Sequence, residues 1–338
     1  MAQITKPQRQ AWIDQYRGIL FFFVIVFHTF QSPLWLRHFF DYFFLPGFFF
    51  LSGYLYKPKG IKMNMIGILN GLLIPFLIFS AIISIYNMLK LRDLQSFYDT
   101  FVDYFITGGD GIWFIPCLIV LETFFTLIVN MSRKQEFNTI AIVSLSSFLL
   151  AYIIVDGRSH HLPWNVDTSI LALFIFSVGY CAKQLTALPK TLAIIAFAFY
   201  ITISQLVGNS MYVIVDVDLH NNIIGEPFVY LILSLVGSYT LFSLCRFLPV
   251  VWYFKKLGQY TLFAFPFHPF VYRSLYKIVP TDNIVMGGVN FMVVIVVPIL
   301  TGLVLIGVCI LLERYAPYLI GKYRFIKHHE KATSNCFE

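Results

Sequence analysis

The chain has 338 residues, 58% hydrophobic and 12% charged, with 37 Phe, 20 Tyr and a mean hydropathy of +0.75. Soluble domains carry about 25% charged residues, so this composition excludes a water-soluble globule and points to a chain solvated by lipid. The formal net charge of +7 is spread through short loops between apolar runs, with no basic stripe, and no nucleic-acid partner is expected.

Residues 1–17 carry Lys6, Arg9 and Arg17 ahead of an apolar run from Gly18. No small-residue cleavage site follows, so the first helix is expected to stay in the protein. Runs long enough to cross about 30 Å of hydrocarbon lie near 18–36, 39–56, 66–89, 112–131, 138–155, 168–186, 190–207, 226–247, 259–279 and 287–312. The weakly amphipathic stretch 93–107 is expected to lie along the interface. No span repeats another and no linker is long enough to separate domains. The expectation is therefore an all-α, polytopic membrane protein with about ten transmembrane helices and both termini cytoplasmic. It forms a single domain over residues 1–338, with a short basic tail from about residue 314.

With the N-terminus inside, 18 of the 24 basic residues fall on the cytoplasmic side; Arg37, Lys90, Arg92, Arg158, Arg273 and Lys277 fall outside. That alternation follows the positive-inside rule. The five cysteines are odd in number and scattered, four of them within apolar runs, so neither a disulfide framework nor a metal knuckle is expected.

Ionisable groups at mid-bilayer cost a few kcal/mol each and call for a reason. His28 lies 11 residues beyond Arg17, about 16 Å along a helix. Glu122 lies about ten residues into the fourth span from outside and His268 about ten into the ninth from inside, so three helices bring titratable groups to one depth. Eleven residues at about 100° each end about 20° past three full turns, which puts Arg17 and His28 on one face. Asp14, three residues before Arg17, joins that face and can pair with it. Each residue alone reads as an ordinary buried hydrogen-bonding group. Together, an imidazole near a carboxylate is a general-base arrangement. His268 stands in FPFHPF, where Pro266 and Pro269 free backbone carbonyls that protein or a wet cavity must satisfy. Ser52 and Gly53 close the second span, Gly53 allowing close packing. Trp113 at the start of the fourth span reads as an interfacial anchor or part of an acceptor path. The cluster Lys57, Lys59 and Lys62, like Lys255 and Lys256, reads as topology charge or as a cradle for donor phosphates.

Six strings occur in order along most of the chain: DQYRGILFFFVIVFH, FLPGFFFLSGYLY, LLIPF, GIWFIPCLIVLE, ALFIFSVGYCAKQ and LGQYTLFAFPFH. This series, with its Arg-x10-His spacing at Arg17 and His28, resembles the acyltransferase-3 integral membrane acyltransferases, in particular the fucose O-acetylase-like members that decorate bacterial polysaccharides. The resemblance implies ten core helices in a bacterial inner membrane, with acetyl-CoA arriving from the cytoplasm as a co-substrate and no permanently bound cofactor. It also implies O-acetyl transfer to a sugar hydroxyl, with His28 catalytic and Arg17 in the donor site. One departure stands out: where the family has arginines before the Leu-Ile-Pro of the third span, this chain reads ILNGLLIP with Asn70, so donor phosphates fall to Arg17 and lysines such as Lys57, Lys59 and Lys62.

The expected activity is transfer of an acetyl group to a cell-surface glycan or its lipid-linked precursor. His28 acts as base oriented by Glu122, Asp14 and Arg17 belong to the donor site, and His268, Trp113 and Ser52 line an acceptor path or proton relay. The alternative is a proton-coupled transporter or lipid-linked sugar flippase, since mid-membrane His and Glu and broken helices also serve proton relays.

Overall fold

A computed structural model describes residues 10–28, 32–109, 111–131, 136–155, 162–185, 188–210, 217–278, 292–320 and 326. Residues 1–9 and the basic tail beyond 326, on which the cytoplasmic placement of the termini depends, lie outside the described residues, as do Arg133, Lys134, Arg158 and Cys336.

Among the described residues the chain is helical and has no sheet; one backbone bridge pairs Asp218 with Ile223 in a loop. In chain order the helices are α1 (Ala11–Phe27), a short α2 (Leu34–Phe40), α3 (Phe44–Leu55), α4 (Ile61–Ile68), α5 (Ile74–Leu91), α6 (Gln95–Thr107) and α7 (Phe114–Met131). They continue with α8 (Glu136–Val155), α9 (Val166–Cys181), α10 (Lys190–Gly208), α11 (Pro227–Cys245), α12 (Trp252–Gln259), α13 (Thr261–Tyr276) and α14 (Val297–Tyr315). A π turn at Leu69–Leu73 joins α4 to α5, two residues before Pro75. Proline lacks an N–H and its ring crowds the carbonyl four residues back, and a widened turn relieves both. Another π turn, Met292–Val296, precedes Pro298 in the same way.

Six helical stretches among the described residues are long and apolar enough to cross a membrane: Ile61–Leu91, Phe114–Met131, Pro163–Gln184, Lys190–Gly208, Pro227–Cys245 and Val293–Tyr315. The protein is a multi-pass membrane protein, with six such helices where about ten spans were expected. The expected first, second and ninth spans are shorter helices, α1, α3 and α13, of 17, 12 and 16 residues. The second run is divided by a turn at Asp41–Phe43, and the ninth begins only after a break at Tyr260. The expected fifth span falls on α8, whose described apolar part is Phe137–Leu150. The interfacial expectation for 93–107 corresponds to α6, which has no buried residue and packs beside α5.

In lipid, burying one apolar face against another gains little from water, so packing depends on how closely backbones approach. Two glycine pairs provide that approach. A Cβ at Gly18 would lie 1.8 Å from the Phe254 carbonyl oxygen, and one at Gly258 1.8 Å from that of Asp14, so α1 and α12 cross backbone to backbone. Likewise a Cβ at Gly53 would lie 1.9 Å from the Phe176 oxygen and one at Gly179 2.0 Å from that of Phe50, so α3 and α9 cross at Gly53, as its sequence context implied. Each crossing sits next to a candidate residue, Arg17 in one case and Ser52 in the other. Around the crossings, edge-to-face aromatic contacts fill the interior, among them Tyr16 and Phe50 against Phe242. Cys117, Cys245 and Cys309 are buried thiols within this packing.

Candidate active site

At the end of the protein that carries Lys57 and Lys59, helices α1, α3, α4, α7, α12 and α13 line a cavity of about 530 Å³. Arg17, Lys57 and Lys59 stand on its lining with Ser52, Glu122 and Gln259. The loop bearing the two lysines is held from three sides. The Lys59 backbone N–H donates to Asn64 Oδ1 at 3.1 Å. The Asn64 amide bonds the Tyr56 hydroxyl, and that hydroxyl bonds Thr126 Oγ1 at 2.8 Å. Gly60, at φ +85°, makes the turn back into α4. On the opposite wall, Gln259 Nε2 donates to the buried carboxylate of Asp14 at 3.2 Å, tying α12 to α1 beside Arg17.

Phe114 and Phe265 also stand on the lining, their rings stacked at 5.1 Å. Two histidines follow from Phe265. His268 is buried and its ring centroid is 5.9 Å from that of Phe265 and 5.0 Å from that of His28. His268 Nδ1 is 2.6 Å from the carbonyl oxygen of Phe265. A carbonyl only accepts, so Nδ1 carries the proton and Nε2 keeps its lone pair. The carbonyl is available because residue 269 is proline: its missing N–H would otherwise have bonded Phe265, four residues back. The sequence FPFHPF thus sets the tautomer of its own histidine. Nε2 is buried and makes no hydrogen bond among the described residues.

His28 caps the C-terminal end of α1, is exposed, and is not on the lining of the cavity. Tyr272, one turn beyond His268, lies parallel to the His28 ring at 6.3 Å. Asp218, His220 and Arg273 are within electrostatic range of it. Asp218 and His220 belong to a loop pinned by Asn222, whose amide donates to Asp167 at 2.8 Å and whose oxygen accepts from Thr168 at 2.9 Å.

The sequence-derived candidates therefore divide into two groups. Arg17, Ser52, Lys57, Lys59 and Glu122 share the cavity, with Asp14 bonded to its wall. His28 and His268 pair beyond it. No hydrogen bond or ion pair among the described residues joins Glu122 to His28; the imidazole meets the second histidine instead. The depth argument located both groups along their helices but not the faces they present, and Glu122 shares its cavity lining with the stacked Phe114 and Phe265. Lys62 is exposed on α4 and lines neither of the two cavities at this end. Trp113 is buried against His220 at 5.2 Å, outside the cavity. Asn70, in place of an arginine, accepts from the Ile326 N–H at 2.9 Å and donates to its carbonyl at 3.1 Å, so it anchors the chain near its C-terminal tail.

Sequence reasoning passed over three groups. Gln259 and Tyr272 were embedded in family-like or apolar strings. Lys183 was absorbed into the topology charge, although it closes the string ALFIFSVGYCAKQ. Compared with known proteins, residues 10–313 match a family model described as an acyltransferase domain. No curated protein and no solved structure matches the chain.

Proposed function

The chain belongs to the acyltransferase-3 family and is a membrane acyltransferase, and from that premise we propose that it carries an acetyl group from cytoplasmic acetyl-CoA to a hydroxyl of a cell-surface polysaccharide or its lipid-linked precursor. The location is the inner membrane of a bacterial cell. The observation that carries this is a chain of contacts: a cation-lined cavity has Phe265 on its lining, His268 packs against that ring at 5.9 Å, and His28 packs against His268 at 5.0 Å.

Arg17, Lys57 and Lys59 hold the donor phosphates at the mouth. Ser52 and Gln259 offer polar partners to the amides of the pantetheine arm. The thioester then meets Phe265, which must swing aside for the acyl carbon to reach the imidazole. The acceptor hydroxyl approaches from the opposite side, where His28 is exposed. His28 takes its proton as the hydroxyl oxygen bonds to the acyl carbon; the C–S bond breaks, and the proton leaves with the CoA thiolate. His268 is the orienting group in place of Glu122: its Nε2 lone pair receives the N–H of His28, which leaves the other His28 nitrogen basic. A ring separation of 5.0 Å brings the nitrogens within hydrogen-bond reach once the His28 ring turns, His268 staying bonded to Phe265. Glu122 belongs to the donor cavity.

The test is thiol release from acetyl-CoA by purified protein, with and without acceptor glycan, together with the mass of the glycan. Wild type should release CoA in an acceptor-dependent manner and add the mass of one acetyl group. His28→Ala should do neither while still folding in the membrane. Substrate movement without thioester cleavage would identify a carrier instead, and full turnover by His28→Ala would remove His28 from the chemistry.

A further inference from the structure

A second cavity, of about 590 Å³, opens at the same end of the protein and shares Arg17, Leu55 and Lys57 with the first. Its lining adds Tyr54 from α3, Gln10, Ile13 and Asp14 at the start of α1, and Lys183 just past the end of α9. Three cations therefore face this space, and Asp14, its one lining carboxylate, is engaged by Gln259. Apolar and polar residues are distributed differently in the first cavity. Its lining follows α3 inward from Leu55 to Phe48, about 10 Å at ~1.5 Å per residue, among Leu118, Phe114 and Phe265.

Lys183 has a structural duty. Its ammonium donates to the carbonyl of Tyr56 at the C-terminal end of α3, where a cation complements the helix dipole, and it lies 4.5 Å from the Tyr180 ring centroid. An ammonium has three donors, and capping one carbonyl leaves two for the cavity that Lys183 lines. Lys57 is separated from Tyr56 by one peptide bond, so the cap also places the two ammonium groups on one wall.

We propose that this second cavity is the nucleotide subsite of the donor: Lys183 and Lys57 take the ribose 3′-phosphate of CoA, Arg17 takes the diphosphate where the cavities join, and the pantetheine arm descends the first cavity. The assignment rests on CoA being the donor. A phosphate monoester carries nearly two charges at neutral pH and has three acceptor oxygens, which suits a pair of lysines. The diphosphate suits the planar fork of an arginine at the junction. Tyr54 stands on the lining of the same space.

The experiment is equilibrium binding of CoA, dephospho-CoA and 4′-phosphopantetheine to the purified full-length chain, as wild type, Lys183→Gln and Lys183→Arg. Wild type should bind CoA about tenfold or more tightly than dephospho-CoA, the worth of one charge-assisted contact. Lys183→Gln should weaken CoA by a similar factor and leave 4′-phosphopantetheine within twofold. Lys183→Arg, which keeps the charge and the helix cap, should restore most of the CoA affinity. Equal loss for all three ligands in Lys183→Gln would make the residue a structural cap only and overturn the subsite. So would wild-type protein that binds CoA and dephospho-CoA alike. Binding of none of the three, with no thioester turnover, would instead remove CoA as the donor and take both proposals with it.

Discussion

Removing the imidazole of His268 exposes how far the proline beside it matters. Pro269 has no N–H, so the Phe265 carbonyl has His268 Nδ1 as its partner at 2.6 Å in a buried setting. His268→Ala leaves that carbonyl orphaned, at a cost of about 1–3 kcal/mol. His268→Asn puts an amide nitrogen near the position of Nδ1, so it should keep the carbonyl satisfied and the fold near wild type. It has no counterpart to Nε2, however, and acyl transfer should fall roughly 100-fold, the lower end of what acid–base groups contribute. The two quantities are read separately, by thermal unfolding of the purified protein and by acceptor-dependent CoA release. Pro269→Ala completes the set: it returns an N–H that competes for the same carbonyl, frees the imidazole to change tautomer, and should lower turnover without orphaning the carbonyl. Wild-type turnover by His268→Asn, or wild-type stability of His268→Ala, would refute the tautomer argument.

Other outcomes follow from the same geometry. Phe265→Ala opens the end of the donor cavity onto His268 and should raise acceptor-independent hydrolysis of acetyl-CoA; Phe265→Trp should slow transfer while leaving CoA affinity unchanged. Glu122→Gln should change the KM for acetyl-CoA and leave kcat within a few-fold, because its carboxylate lines the donor cavity and not the histidine pair. A matching collapse of kcat would return Glu122 to the imidazole. Gly258→Ala puts a Cβ 1.8 Å from the Asp14 carbonyl oxygen, so α1 and α12 must part by about 1.6 Å to reach the 3.4 Å of ordinary contact. Overpacking of this kind costs about 1–3 kcal/mol, and a displacement of about 1 Å at Arg17 is enough for a 100-fold loss of rate. A lower unfolding midpoint and weaker CoA binding should appear together.

Composition and hydropathy alone determined that this chain lives in a bilayer as a bundle of helices, because a chain with so few charged groups cannot surround itself with water. The placement of Arg17 and His28 on one helix was legible for a similarly local reason: helix rise and twist relate residues 11 apart on one rod whatever surrounds it. FPFHPF also announced a freed carbonyl, and His268 proved to fill it. The partner of His28 lay beyond such reasoning. Depth along a helix says nothing of azimuth: α7 turns Glu122 toward the cation-lined cavity and α13 turns His268 toward His28. Span number was also less local than it looked, since apolar runs do not record the turns at Asp41–Phe43 and Tyr260 that shorten α3 and α13. Lys183 needed the tertiary structure most of all. In sequence it is one more cytoplasmic lysine, and only the crossing of α3 and α9 at Gly53 and Gly179 carries it to the end of α3, beside Lys57 and above a cavity. Backbone periodicity acts within one helix, whereas a pocket depends on the angle and depth at which different helices meet, which here is set by where a Cβ is missing.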